Sequence, residues 1–189
     1  MRKRSAGLLL GTGIATAALI ALAVAMFAGA GGANGNKTHV KADMLTGFQE
    51  ATPAGVSSSA SGTFEATIDE DASPPTITYT LSYVGLSGPA LFSHIHFGNR
   101  YDSGGVSTFL CGGSTKPDPC PNVSGHVEGD VSPADVIGPN GQGIEPGSFA
   151  EILRAMRAGH SYVNIHTTRW PGGEIRGQIN DKDQKEFDG

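Results

Sequence analysis

Six histidines carry most of the chemistry this sequence offers: His39, His94, His96, His126, His160 and His166. Their placement separates them. In Leu91-Phe-Ser-His-Ile-His-Phe-Gly98, His94 and His96 stand two apart on a segment that reads as a strand. Side chains at i and i+2 leave the same face, with Cβ atoms about 7 Å apart. Two imidazoles at that spacing can share one metal ion, while Ile95 and Phe97 point the other way, into a core. Tyr162-Val-Asn-Ile-His166 repeats the pattern, with Tyr162, Asn164 and His166 on one face and Val163 and Ile165 on the other. If the two strands lie side by side, His166 supplies a third nitrogen. Imidazole suits copper or zinc, and three imidazoles with an open position suit a reactive site rather than a closed one. The alternative is an H-x-H pair on a wet sheet face that only hydrogen-bonds with its neighbours. His126, in Gly125-His-Val-Glu-Gly129, is a fourth candidate from a neighbouring strand. His39 reads as solvent-facing, and His160 as a cap on the end of a helix.

The elements that must position these rings are mostly strands. Gly (28) and Pro (11) make up about a fifth of the 189 residues, against about 12 per cent in average usage. With charged residues at 16 per cent and apolar alternation through the centre, the chain reads as short strands joined by tight turns. Thr76–Val84 is the clearest strand: Ile77, Tyr79, Leu81 and Tyr83 alternate with Thr78, Thr80 and Ser82. Other strands are predicted over 38–48, 62–68, 90–97, 125–131, 162–167 and 174–179. One helix is predicted at about 148–158. Ser148-Phe-Ala-Glu151 matches a capping box, Phe149, Ile152, Leu153 and Met156 follow a helical stripe, and Gly159 suits the C-terminal stop. The fold class is therefore all-β: an immunoglobulin-like or Greek-key antiparallel sandwich or barrel with one short helix. Arg176, on the last strand, reads as an exposed strand-edge residue with Glu174 as its surface partner; the alternative is that it faces the histidine site, where a cation could attract an anion.

The ends of the chain read differently. Met1-Arg-Lys-Arg4 precedes an uncharged apolar stretch over 8–28, and Ala28-Gly-Ala30 is a small-x-small cleavage pattern. Residues 1–30 are thus a signal peptide or an N-terminal membrane anchor, since the stretch falls between the two length classes. Residues 31–37 read as a flexible linker, 38–180 as the folded domain and 181–189 as a polar tail. Either reading of the leader makes the domain extracytoplasmic, secreted or anchored. In that setting Cys111 and Cys120 are expected to form a disulfide; a thiolate metal pair or redox couple is the alternative, and C-x8-C does not match the usual metal spacing. The formal net charge is −5 although three basic residues cluster at the N-terminus. An acidic body without a basic patch argues against nucleic acid, and leaves the N-terminal segment as the only membrane contact. The sequence has no nucleophile elbow, no helical H-E-x-x-H and no phosphate-binding glycine loop in a strand–turn–helix setting, so no organic cofactor is expected.

Four segments together resemble the CHRD domain, first described in chordin: Leu45-Thr-Gly-Phe-Gln-Glu-Ala-Thr-Pro-Ala-Gly55, the Tyr79–Leu86 strand, Phe92-Ser-His-Ile-His-Phe-Gly98, and Tyr162-Val-Asn-Ile-His-Thr167 with Pro171-Gly-Gly-Glu-Ile-Arg-Gly-Gln178. The resemblance spans roughly 40–180 and implies an immunoglobulin-like β fold without a settled activity. It leaves open an extracellular protein or glycan as partner. A looser, local likeness links the Gly85–Gly98 and Val163–His166 stretches to the copper-ligand strands of Cu/Zn superoxide dismutase. That likeness implies His94, His96 and His166 as copper ligands, with zinc less favoured. The bridging histidine and zinc loop of that enzyme have no counterpart between Gly98 and Val131. The reading is thus an exported module binding a transition metal, with a superoxide-consuming redox enzyme as a further alternative.

Overall fold

The computed structural model describes residues 37–51 and 54–181. The leader, most of the linker and the polar tail lie outside these residues. Among the described residues no helix is long and apolar enough to cross a membrane. Eight antiparallel strands form one sheet: β1 (Lys37–Thr46), β2 (Ser61–Asp69), β3 (Thr76–Val84), β4 (Ala90–Phe97), β5 (Gly105–Cys111), β6 (Gly125–Val131), β7 (Ser161–Thr167) and β8 (Ile175–Asp181). Their order across the sheet is β5-β4-β7-β8-β1-β2-β3-β6. The jumps from β3 to β6 and from β4 to β7 are Greek-key crossings.

The sheet curls until its two edges nearly meet. The Tyr79 hydroxyl of β3 donates to the Leu110 carbonyl of β5 at 2.6 Å. The amide of Ile137, beyond β6, donates to the Ser107 carbonyl of β5 at 2.9 Å. Inside the curl, the alternation read from sequence fills the core: Phe64 and Ile68 from β2, Ile77, Tyr79 and Leu81 from β3, Ile95 from β4, Val163 and Ile165 from β7, Ile175 and Ile179 from β8. The all-β Greek-key reading therefore holds, in its barrel form.

The helix α1 (Phe149–Arg157) buries Phe149, Ile152, Leu153 and Met156 in that core. Its capping box does not form. Ser148 makes no side-chain cap, and the Glu151 carboxylate accepts from Arg154 instead. The C-terminus closes as a Schellman motif: Gly159 is left-handed at φ 69°, its amide reaches Met156 O, and the His160 amide reaches Ala155 O. His160 thus caps through its backbone, with its side chain exposed.

The strand the sequence does not announce is β5. Its pairing with β4 shifts register twice, between Ser93 and His94 and between Ile95 and His96. Each bulge inserts a residue and breaks the two-residue period, so 105–111 does not read as a strand. The bulges lie beside the histidine pair. β5 ends at Cys111, which is disulfide-bonded to Cys120 at a sequence separation of 9. A loop that short removes roughly 2–3 kcal/mol of chain entropy from the unfolded state. Replacing both cysteines by Ala should therefore lower the urea-unfolding free energy by about that amount. Unchanged unfolding under non-reducing conditions would show that the cross-link does not constrain the unfolded chain.

Candidate metal centre

On most of the barrel the outer face is wet. At β4, β7 and β8 it is not. All seven residues of β7 are buried, on both faces. The cover comes from the 98–104 loop between β4 and β5, the 47–50 segment after β1, and the 168–174 turn between β7 and β8. The outward rows of these strands, His94 and His96, Tyr162, Asn164 and His166, and Arg176 and Gln178, therefore form a second, polar interior.

The three histidines meet there. Pairing of β4 with β7 sets Phe92 opposite His166, His94 opposite Asn164 and His96 opposite Tyr162. The His94 ring lies 4.4 Å from that of His96 and 4.6 Å from that of His166, centroid to centroid. One nitrogen from each ring lies within 4.8 Å of the other two. The rings are 3 %, 9 % and 8 % exposed for His94, His96 and His166. Phe92 packs against His94 and His166, and Phe109 meets His94 edge-on.

Hydrogen bonds settle which nitrogens of His96 and His166 are available. His96 Nδ1 lies 2.8 Å from Gly104 O, and His166 Nδ1 lies 2.8 Å from Pro171 O. A carbonyl has no proton to give, so each Nδ1 carries the hydrogen and each Nε2 is left with its lone pair. His96 Nε2, His166 Nε2 and His94 Nδ1 are all buried without a partner. Buried polar atoms are nearly always satisfied, and three bare ones in a single cluster make a group that could hold a metal ion. Burial pushes the His94 ring down to about 2, with the neighbouring rings of His96 and His166 adding to it. Burial likewise brings His96 down to about 4, against the pull of its bond to Gly104, and lowers His166. All three are neutral at physiological pH, the form that binds a metal.

Local backbone makes these bonds possible. A Cβ on Gly104 would stand 1.7 Å from Phe97 O, so only glycine lets the loop close back over His96. A Cβ on Gly173, which is left-handed at φ 126°, would strike the Asn164 amide and the Glu50 carboxyl at 2.7 Å each. That close approach lets the turn carrying Pro171 press down beside His166.

The remaining histidines lie elsewhere. His126 is exposed on β6, with Nδ1 2.8 Å from the Ser82 hydroxyl and Nε2 2.9 Å from Glu128. β6 pairs with β3 rather than with β4 or β7, and His126 lies apart from the three clustered histidines. His39 is exposed and bonded to Thr67.

Arg176 and Glu174 are not an exposed pair. Arg176 is 2 % exposed and Glu174 fully buried. Glu174 accepts from the Ser58 hydroxyl, the Ser87 amide and the Thr167 hydroxyl, tying three loops together. Glu50 was not singled out from sequence. It accepts from Asn164 Nδ2 at 2.6 Å, and burial pushes its carboxyl up to about 8, with Arg176 and Asn164 pulling the other way. The signal for Arg176 was present: Ile175, Gly177 and Ile179 take the core side of β8, which leaves Arg176 and Gln178 on the histidine side.

An antiparallel Greek-key barrel with a buried imidazole cluster on a covered outer face defines the class. The chain belongs to the CHRD domain family, whose model matches residues 42–179. No curated protein and no solved structure is matched. The family and the disulfide both fit an extracytoplasmic setting.

The two kinds of buried group pull stability in opposite directions with pH. The histidines have native values below their unfolded value of about 6.5, so as pH falls from there the unfolded chain takes up protons first and stability is lost. Glu50 has a native value above its unfolded one, so stability is lost as pH rises from about 4.5 towards 8. The urea midpoint of the metal-free protein should therefore fall from pH 6.5 to pH 5. Glu50→Gln should abolish the decline between pH 7 and 8, above the histidine range, and leave the acid limb intact. Identical alkaline limbs in the two proteins would contradict the assignment to Glu50.

Proposed function

We propose that this CHRD domain binds one transition-metal ion, copper first and zinc second, through His94, His96 and His166. The observation that carries the reading is the convergence of three bare, buried ring nitrogens, two of them aimed by hydrogen bonds on the opposite side of the ring. Nitrogen-only donors suit copper and zinc better than magnesium or calcium, which favour oxygen. The donor set has no thiolate and no carboxylate, so the ion's charge is met by imidazole dipoles alone. The protein's part is to hold the rings neutral, keep competing water off two of the three nitrogens' flanks through Phe92 and Phe109, and leave further coordination positions to solvent or substrate.

Titration of the purified protein with Cu(II) should show one equivalent bound, with nitrogen hyperfine structure in the electron paramagnetic resonance spectrum. Replacing all three histidines by Ala should abolish that uptake, while His126→Ala should leave it unchanged. Stoichiometric uptake by the triple variant would remove the proposal. A second reading is recognition of an extracellular protein or glycan, favoured by the exposed side chains of Met44, Phe48 and Val84, 62 %, 77 % and 57 % accessible. It calls for no copper affinity beyond that of any histidine-bearing surface, so the same titration separates the two.

A further inference from the structure

We infer that Arg176 is a positioning residue for the histidine centre: it clamps the 98–104 loop to the barrel and so fixes the Gly104 carbonyl that sets the tautomer of His96. The inference deepens the metal reading and rests on it only for the effect on metal binding. The tautomer is a property of the metal-free protein.

The contacts form a closed circuit. From β8, Arg176 Nη1 donates to Asp102 O at 2.7 Å, and Nη2 donates to Asn99 O. These carbonyls belong to one turn, in which the Asp102 amide donates to Asn99 O at 3.2 Å and Asn99 Nδ2 donates to Asp102 Oδ2 at 3.0 Å. The turn leads into Gly104, whose amide donates to the Tyr162 hydroxyl at 3.0 Å and whose carbonyl accepts from His96. The Tyr162 ring stacks on the His96 ring at 4.5 Å and 5°. The Arg176 guanidinium carbon lies 3.4 Å from the centroid of the same tyrosine. Gln178, two residues further along β8, holds the base of the loop through Gly98 O at 3.0 Å.

The loop has no apolar anchor at its tip. Asn99, Tyr101, Asp102 and Ser103 are exposed, Tyr101 by 80 %. What presses it to the barrel is therefore polar. Burying a guanidinium is costly, and the position needs its geometry: two donors diverging to two carbonyls, on a flat group that also lies over a ring. An ammonium offers a single point of charge and no plane. His166 provides a built-in contrast, because its acceptor, Pro171 O, lies in a different loop.

Nitrogen-15 NMR of the histidine side chains tests this in the metal-free protein. In the wild type, His96 and His166 should both carry the proton on Nδ1. In Arg176→Lys and Arg176→Gln, His96 should shift to a mixture with the Nε2–H form while His166 stays as it was. Cu(II) affinity should fall about 10- to 100-fold, the usual effect of losing a partner behind a ligand. An unaltered His96 tautomer in folded variants would overturn the inference. Should Arg176→Gln fail to fold, Arg176→Lys, which keeps a cation in place, gives the decision. If the wild type takes up no copper, the metal reading fails, and the tautomer comparison still stands as the test of Arg176.

Discussion

The antiparallel ladder between β4 and β7 sets His166 opposite Phe92 and one step from His94, so both strands deliver their imidazoles to one patch of the outer face. A slip of one residue would turn every side chain of the moving strand over. Ile95, Val163 and Ile165 would then face outward and the histidines would enter the apolar core. The core contacts of these aliphatic side chains thus enforce the geometry of the rings on the other side of the same strands. The register is fixed by hydrophobic burial and read out as a constellation of nitrogens.

Covering that outer face is what makes the constellation chemically distinct from a histidine-bearing surface. Removed from water, the rings lose their proton affinity and the cover must satisfy every polar group it encloses. It does so with residues that bond backbone carbonyls and each other: Asn164 with Glu50, Thr167 with Glu174, Gln178 with the carbonyls of Gly98 and Gly159. Among the described residues, three of the six unpartnered buried side-chain atoms belong to the clustered histidines, and two more, Arg176 Nε and Gln178 Oε1, lie on the same covered face.

Much of this was legible in the sequence, and the failures have identifiable causes. Strands with a clean two-residue period, such as Thr76–Val84, announce themselves, and so does the same-face spacing of His94, His96 and His166. β5 is hidden because two bulges break its alternation. Arg176 and Glu174 mislead because charge predicts exposure only where nothing covers the sheet, and loop cover is a tertiary fact. Glu50 belongs to the 45–55 stretch that resembles the family, yet composition offers no reason for a carboxyl there to be buried. Ser148 has the right sequence for a capping box, but Glu151 is drawn away by Arg154 one turn on. Three of the four resembling segments converge in space, since Glu50, the 171–174 turn, Arg176 and Gln178 lie on the covered face with the histidines, while the Tyr79–Leu86 strand lies elsewhere in the sheet.

The barrel is not closed by a ladder. Among the described residues, β5 and β6 end the sheet, and isolated bonds cross the seam between them, such as those from Tyr79 of β3 to Leu110 and from the Ile137 amide, beyond β6, to Ser107. A cylinder with such a seam has a grain: local opening costs least where ladder pairing is missing. The neighbour on that side is β4, and β5 itself lays Phe109 against His94. Local opening of that edge would reach the rings from the flank.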